Sequence, residues 1–324
     1  MKPGSRRAAG WGMRGAICLL GLAALAQQSG PPALRKADLV VLVSSSVLRS
    51  VNRNEAMASA KVWLDVVARR RGFRVDSRFE VTDSQEDIRK RVEQGTVSMV
   101  FLDVMEYLSL PRPELLSPLL TSAAAAFRSY LLVVPSGEAS TVEELRGRSV
   151  SFYSLSNAYL GRKWLEVVLQ ERHLGRAERF FGPMIAAAKP SGACLPVFFG
   201  KTGACVIDQP SFDLLKEMNP QLGKKLRVIL TSPRFLEGII GMHVNHRTYR
   251  EEFLQGLMEA HLDPEGRQIL TVFRGDRIAL VPPERLDAAR ELRKKYLALV
   301  ETSGPSHASM GETRPPGSGV GAER

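Results

Sequence analysis

The feature that most constrains this chain is an alternation between short apolar runs and segments with a helical apolar period. Residues 38–43 (DLVVLV) form a near-continuous apolar run of the kind found in sheets covered on both faces. A helix is expected over 54–70, with Met57, Ala60, Leu64 and Val67 on one face and Gly72 ending it. Residues 73–81 read as a more exposed strand through Phe73, Val75, Phe79 and Val81. Thr82, Asp83 or Ser84 caps a helix that turns Ile88 and Val92 inward and closes at Gly95. Residues 97–102 (VSMVFL) are the next strand, and Asp103 opens a helical turn with Met105, Tyr107 and Leu108. Strand and helix repeated in this order predict a mostly parallel α/β sheet. Ligands bind such sheets beyond the C-terminal ends of the strands. Ser45, Ser46, Asp103 and Tyr107 stand at two such ends.

A second α/β unit begins within residues 128–160, RSYLLVVPSGEASTVEELRGRSVSFYSLSNAYL. Residues 129–134 are β-rich and stop at Pro135, Ser136 and Gly137. An acidic helical turn follows, closed by Gly147, and 150–153 is another strand. Ser154, Ser156 and Asn157 then open a helix whose apolar positions include Leu160, Trp164, Val167 and Val168. Hydroxyls and an amide at a helix N-terminus outline an anion site, because free N–H groups and the helix dipole both favour negative charge. The same residues also suit plain N-caps. Tyr153 lies beside them and could stack or donate.

The remaining chain is read more coarsely. Residues 111–118 are a proline-broken connection, and 175–189 are irregular. A helix is expected over 190–199, and ACVI at 204–207 is a short buried strand ending in Asp208. Residues 209–218 read as a helix, and 226–230 and 238–244 as strands. Helical periods follow from Thr248, from Asp263-Pro264-Glu265 with proline at the first position, and over 286–299. Residues 303–324, rich in Gly, Pro and Ser without apolar period, are expected to be a disordered tail.

The N-terminus has the pattern of a cleavable signal peptide over 1–26. Lys2, Arg6, Arg7 and Arg14 precede the apolar run AICLLGLAALA, which ends in an Ala-Leu-Ala cleavage pattern. The apolar run is short for a membrane span. Losing those four basic residues lowers the formal charge from +11 to +7. A basic exported chain whose charges are scattered suits a small anionic or zwitterionic partner, not nucleic acid. Mature cysteines are Cys194 and Cys205; they could pair after export or stay as two buried thiols. No G-x-G-x-x-G or P-loop fingerprint follows any expected strand, and no G-x-S-x-G or H-E-x-x-H pattern is present, so no cofactor, metal or catalytic residue is expected. His243 and His246 read as two satisfied histidines, and Lys201 as a solvated lysine.

The order of elements over 38–299 resembles the type II periplasmic substrate-binding proteins, in their phosphate/phosphite/phosphonate-binding branch. Gly95 to Phe101 is similar to that family's G-x-x-D-[IVL]-[AG]-[FW] segment, with Ser98 where the acid commonly stands. Tyr130 through Gly147 to Tyr153 resembles its crossover, and Gly203 to Asp208 the segment before its second-lobe ligand aspartate. The resemblance implies two α/β lobes with a ligand cleft between them. Lobe one would hold residues 38–129 and 236–299, and crossover and lobe two 130–235. Hinge strands would lie near 130–135 and 231–238. Phosphonate-type oxygens would meet Ser154, Ser156 and Asn157, Tyr107 would approach from lobe one, and Asp208 would face a cationic or hydroxyl part of the ligand. The family's S-[ST]-S-G run is here Ser154-Leu155-Ser156-Asn157-Ala158. Asp103 stands where many members carry a small neutral residue, and would repel an anion or select a ligand that also bears a cation. The implied role is a periplasmic solute receptor of an ABC-type uptake system, read by an inner-membrane permease. The rival roles are a receptor read by a sensor protein, an envelope interaction protein and a cleft transferase.

Overall fold

The computed structural model describes residues 35–48, 51–122, 127–153, 160–273 and 275–302. The expected signal peptide, the residues 154–159 expected to open a helix, and the expected tail at 303–324 lie outside the described residues. In chain order the elements begin β1 (Arg35–Ser44), α1 (Arg53–Arg70), β2 (Phe73–Thr82), α2 (Gln85–Gln94), β3 (Met99–Asp103), α3 (Val104–Leu108), β4 (Leu116–Ser122) and β5 (Phe127–Arg128). They continue β6 (Tyr130–Pro135), β7 (Val150–Tyr153), α4 (Leu160–Glu171), α5 (Ala177–Phe180), β8 (Met184–Ala187), α6 (Pro190–Phe198), β9 (Ala204–Asp208), α7 (Gln209–Met218), α8 (Pro220–Lys225) and β10 (Leu226–Thr231). Last come β11 (Phe235–Leu236), β12 (Gly238–His243), α9 (Arg250–Glu259), α10 (Pro264–Val272), β13 (Ile278–Leu280) and α11 (Asp287–Thr302).

Two sheets result. The first runs β13-β4-β12-β3-β1-β2, with β1 and β3 parallel and β12 antiparallel to β3. The second runs β10-β6-β9-β7-β8, with β7 parallel to both β8 and β9. The local chemistry explains the elements that the apolar period anticipates. Ser84 caps α2 by accepting from the Asp87 N–H, and Gly95 ends it in the left-handed conformation. A Cβ at Gly95 would also come within 3.3 Å of the His243 ring. Asp263 caps α10 by accepting from the Gly266 N–H.

Three strands depart from the sequence expectation. The end of the connection expected at 111–118 belongs instead to the interior strand β4, which continues through Ser122. Pro118 is tolerated because β4 pairs Leu120 with Ile240 and Leu116 with His243 across a register shift, so the missing N–H falls at the irregularity. The irregular stretch expected at 175–189 contains α5 and the edge strand β8. Ile278–Leu280 adds a further edge strand against β4.

The chain passes between the sheets through a two-stranded antiparallel ribbon, in which Arg128 faces Phe235 and Phe127 faces Leu236. The first hinge strand expected at 130–135 is instead β6, an almost wholly buried strand inside the second sheet. One hydrophobic cluster joins Leu42, Val100 and Leu102 of the first sheet to Leu132, Val206 and Trp164 beside the second. Leu286, Ala289 and Leu292 at the start of α11 belong to the same cluster. Cys194 and Cys205 are buried free thiols. Among the described residues no helix is long and apolar enough to cross a membrane.

Candidate functional site

A cavity of about 360 Å³ opens where the two sheets meet. Its polar end is built from strand termini. Asp103 ends β3, Asp208 ends β9 and Tyr153 ends β7, and all three line the cavity. The crossover ribbon supplies Arg128, and the flanking residues Tyr130 and Glu237 complete that wall. Leu160, the first residue of α4, lines it too.

Asp103 divides its carboxylate. Oδ1 accepts from the Met105 and Glu106 N–H groups at 2.8 and 2.9 Å, which caps α3. Oδ2 is buried and has no hydrogen-bond partner among the described residues. Burial, with the Glu106 carboxylate beside it, pushes the Asp103 carboxyl up from 3.8 to about 7, against the lowering effect of the two N–H groups and of the nearby Ser46 hydroxyl. Glu106 is spent on structure: its Oε2 accepts from the Asp103 N–H at 2.8 Å, and its two oxygens accept the Ser44 and Ser46 hydroxyls at 2.6 and 2.9 Å.

Arg128 is bracketed. Its Nη1 donates to Asp208 Oδ1 at 2.9 Å, and its Nε lies 2.5 Å from Glu237 Oε2. The Tyr130 hydroxyl donates to Glu237 Oε1 at 2.5 Å. Asp208 Oδ1 also accepts from the Ser211 N–H at 3.0 Å, capping α7. Burial pulls the guanidinium down, but Glu237 and Asp208 outweigh it and hold Arg128 above its ordinary value. Burial pushes the Glu237 carboxyl up, and Arg128 and the Tyr130 hydroxyl only partly offset it. Among the described residues lining the cavity, Arg128 is the one cation against three carboxylates.

The nine expected site residues are therefore distributed unequally. Ser46, Asp103, Tyr153 and Asp208 come together on the cavity wall. Asp103 is also the cap of α3. The cation facing Asp208 is the protein's own Arg128. Ser45 sits in the turn after β1 and does not line the cavity. Tyr107 does not line it either; it is 7% exposed and packs in the core cluster shared with α11. Ser154, Ser156 and Asn157 lie outside the described residues, but the chain leaves the wall at Tyr153 and returns to it at Leu160. Sequence reasoning missed Arg128, Tyr130 and Glu237. Tyr130 carries a signal in the crossover pattern, whereas the Arg128–Glu237 pair depends on two crossovers folding side by side.

His243 is a satisfied core histidine. Its Nε2 lies 2.9 Å from the Val92 carbonyl, and its Nδ1 accepts from the Asn245 N–H at 3.1 Å. Among the described residues no cluster of His, Cys, Asp or Glu could hold a metal ion.

The model of one protein family, described as the periplasmic substrate-binding protein of phosphonate ABC transporters, matches residues 46–285. No curated protein matches the sequence. Among solved structures, a Xanthomonas citri protein bound to chloride ion is similar at 14% identity, with a TM-score of 0.61 over 82% of this chain and 99% of that one. PhnD1 from Prochlorococcus marinus, in complex with methylphosphonate, is similar at 10% identity and a TM-score of 0.55, covering 80% of this chain and 97% of that one. A binding protein component of an ABC phosphonate transporter from Pseudomonas aeruginosa is similar at 12% identity and a TM-score of 0.54, covering 85% and 90%. These similarities are of fold, two lobes around a cleft.

Proposed function

Because the chain belongs to the periplasmic substrate-binding proteins of phosphonate ABC transporters, we propose that it delivers to an inner-membrane permease a small oxyanion that also carries an ammonium group. The oxyanion is of phosphonate, phosphite or phosphate type. The signal-peptide pattern at 1–26 supports export to the periplasm, with cleavage after Ala26. Catalysis has no place in this reading.

The observation that carries the reading is the charge of the cavity's polar end. Arg128 is already matched by Asp208 and Glu237, so it has little left for an anion. Asp103 presents a buried oxygen with no partner among the described residues. An ammonium group placed there would ionise Asp103 and pair with it. The anionic end then needs donors from elsewhere; Ser46 and Ser211 line the cavity, and 154–159, which joins Tyr153 to Leu160 in the chain, adds the hydroxyls of Ser154 and Ser156. Ser154, Ser156 and Asn157 with their N–H groups would hold the oxyanion at the start of the helix. Closure of the lobes about the Phe127–Arg128 and Phe235–Leu236 ribbon would exclude water and strengthen both contacts.

The test is a thermal-shift comparison of the mature chain with phosphate, phosphite, methylphosphonate and 2-aminoethylphosphonate at pH 8. A ligand at a hundred times its Kd adds about 2.7 kcal/mol of apparent stability. The amino compound is expected to give the largest rise, Ser154→Ala with Ser156→Ala to remove it, and Asp103→Asn to erase the preference over methylphosphonate. Equal rises for the amino and plain compounds would remove the ammonium from the reading, and no rise with any oxyanion would overturn it.

A further inference from the structure

The cavity does not stop at the polar end. From Asp103 it continues along one face of the first sheet, under Met99 and Phe101 of β3 and Ile240 of β12. These residues share a face because side chains alternate along a strand, so positions 99 and 101 point together. Met57 and Trp63 of α1 and Phe273 at the end of α10 close the opposite side. No described residue lining this inner part is charged. Met99 to Asp103 spans about 13 Å of strand, room for several methylenes.

Protein interiors are packed as densely as organic crystals, with few voids larger than a water. Here Met57, Phe101 and Phe273 are only half-buried, and they border a cavity of about 360 Å³. Sites of about 300–1,000 Å³ take drug-sized ligands. An oxyanion with an amine is far smaller and needs only the polar end. Trp63 Nε1 and Ser122 Oγ line the cavity, buried and without a partner among the described residues, and could hold one water between them, but a buried water needs two to four polar partners and the rest of the inner wall is apolar. A nonpolar group attached to the head would find contacts along the whole wall.

We infer that the ligand is an amphiphile, with its charged head at Asp103 and an unbranched apolar tail lying in the chamber between the first sheet and helices α1 and α10. This rests on the proposed receptor role and extends it from the head group to the rest of the molecule. The tail adds affinity by burial alone, so affinity should grow steadily with tail length until the chamber is full.

The experiment measures Kd by calorimetry for 1-aminoalkylphosphonates of one to eight carbons, with 1-octanol as a headless probe, on the mature chain. Each added methylene should tighten binding about fourfold, the equivalent of about 0.8 kcal/mol per buried CH₂, and then level off. Ala60→Phe, and separately Met57→Trp, place bulk in the chamber and should shrink the hexyl-to-methyl ratio of Kd towards one. Melting temperature and far-UV spectrum check that each variant is folded. Because Trp63 lines the chamber, its emission in a Trp164→Phe background should shift with the hexyl member and not with the methyl one. Short members that bind with no gain from length would overturn the tail and leave the receptor role standing. Octanol binding without any phosphonate would keep the chamber and overturn the head group. No binding by any compound would overturn both.

Discussion

Asp103 serves two ends with one carboxylate, and its titration tests the arrangement. Its folded value of about 7 lies above its ordinary 3.8, so folding takes up a proton between those values. Below pH ~4 both states are protonated and the residue contributes no penalty; as pH rises towards 7 stability falls, and above 7 the full cost of a buried charge is present. Asparagine caps helices as well as aspartate does. Asp103→Asn should therefore be more stable than the wild type at pH 8, by on the order of 1–4 kcal/mol, with the gap closing towards pH 4. Urea unfolding across that range checks it, and a constant gap would mean that Asp103 does not titrate as its burial implies. Arg128 makes the opposite case. Arg128→Met strands the Asp208 side chain, which is 4% exposed, together with Glu237. Breaking such a pair from one side costs about 3–5 kcal/mol. The loss should be smaller at pH 5 than at pH 8, because burial already raises Glu237 and lets it take a proton. An Arg128→Met protein as stable as the wild type at pH 8 would show the cluster to be solvated.

At the scale of the element, α11 separates two kinds of contact. Leu292 is 5% exposed within the core cluster, whereas Lys295 pairs with Glu171 of α4 at 2.7 Å on the surface. Leu292→Ala should cost about 2–5 kcal/mol and Lys295→Ala less than about 1 kcal/mol, as read by chemical denaturation. Comparable losses would mean that the helix is held by its ion pairs. The apolar spacing that anticipates α11 also anticipates α1, α2 and α10, because each buries one apolar stripe in a core cluster, and α1, α2 and α10 are capped locally by Asn52, Ser84 and Asp263. The strand ending in Asp208 is equally readable, since it is apolar along its whole length. What escapes local reading is whatever depends on a distant partner. Pro118 argues against a strand until the register shift opposite His243 makes room for it. β8 and β13 are short edge strands, ordered by the strand beside them more than by their own composition. Of the site, Asp103, Tyr153 and Asp208 are visible as residues that end strands. Arg128 and Glu237 are not, because neither has a local reason to be buried until the two crossovers pair.

The molecule as a whole has two sheets but no clean division of its core. The cluster that covers Val100 and Leu102 on the first sheet continues into Leu132 and Val206 on the second, and α11 is packed into it. Two crossing strands alone would let each half unfold at its own midpoint, whereas a shared core ties the two together. The chain carries its own reporters. Of its three tryptophans, Trp11 precedes the expected cleavage site, Trp63 packs against the first sheet and Trp164 lies on α4 beside the second. In mature Trp164→Phe and Trp63→Phe proteins, each referenced to its own far-UV transition, fluorescence and circular dichroism should report one midpoint and one slope in urea. Coincidence is expected because opening either half exposes the apolar surface that the other needs. A Trp63 signal that moves at lower urea than the far-UV transition would show that the first sheet opens independently. The ribbon at Arg128 and Phe235 would then be the main connection between the halves.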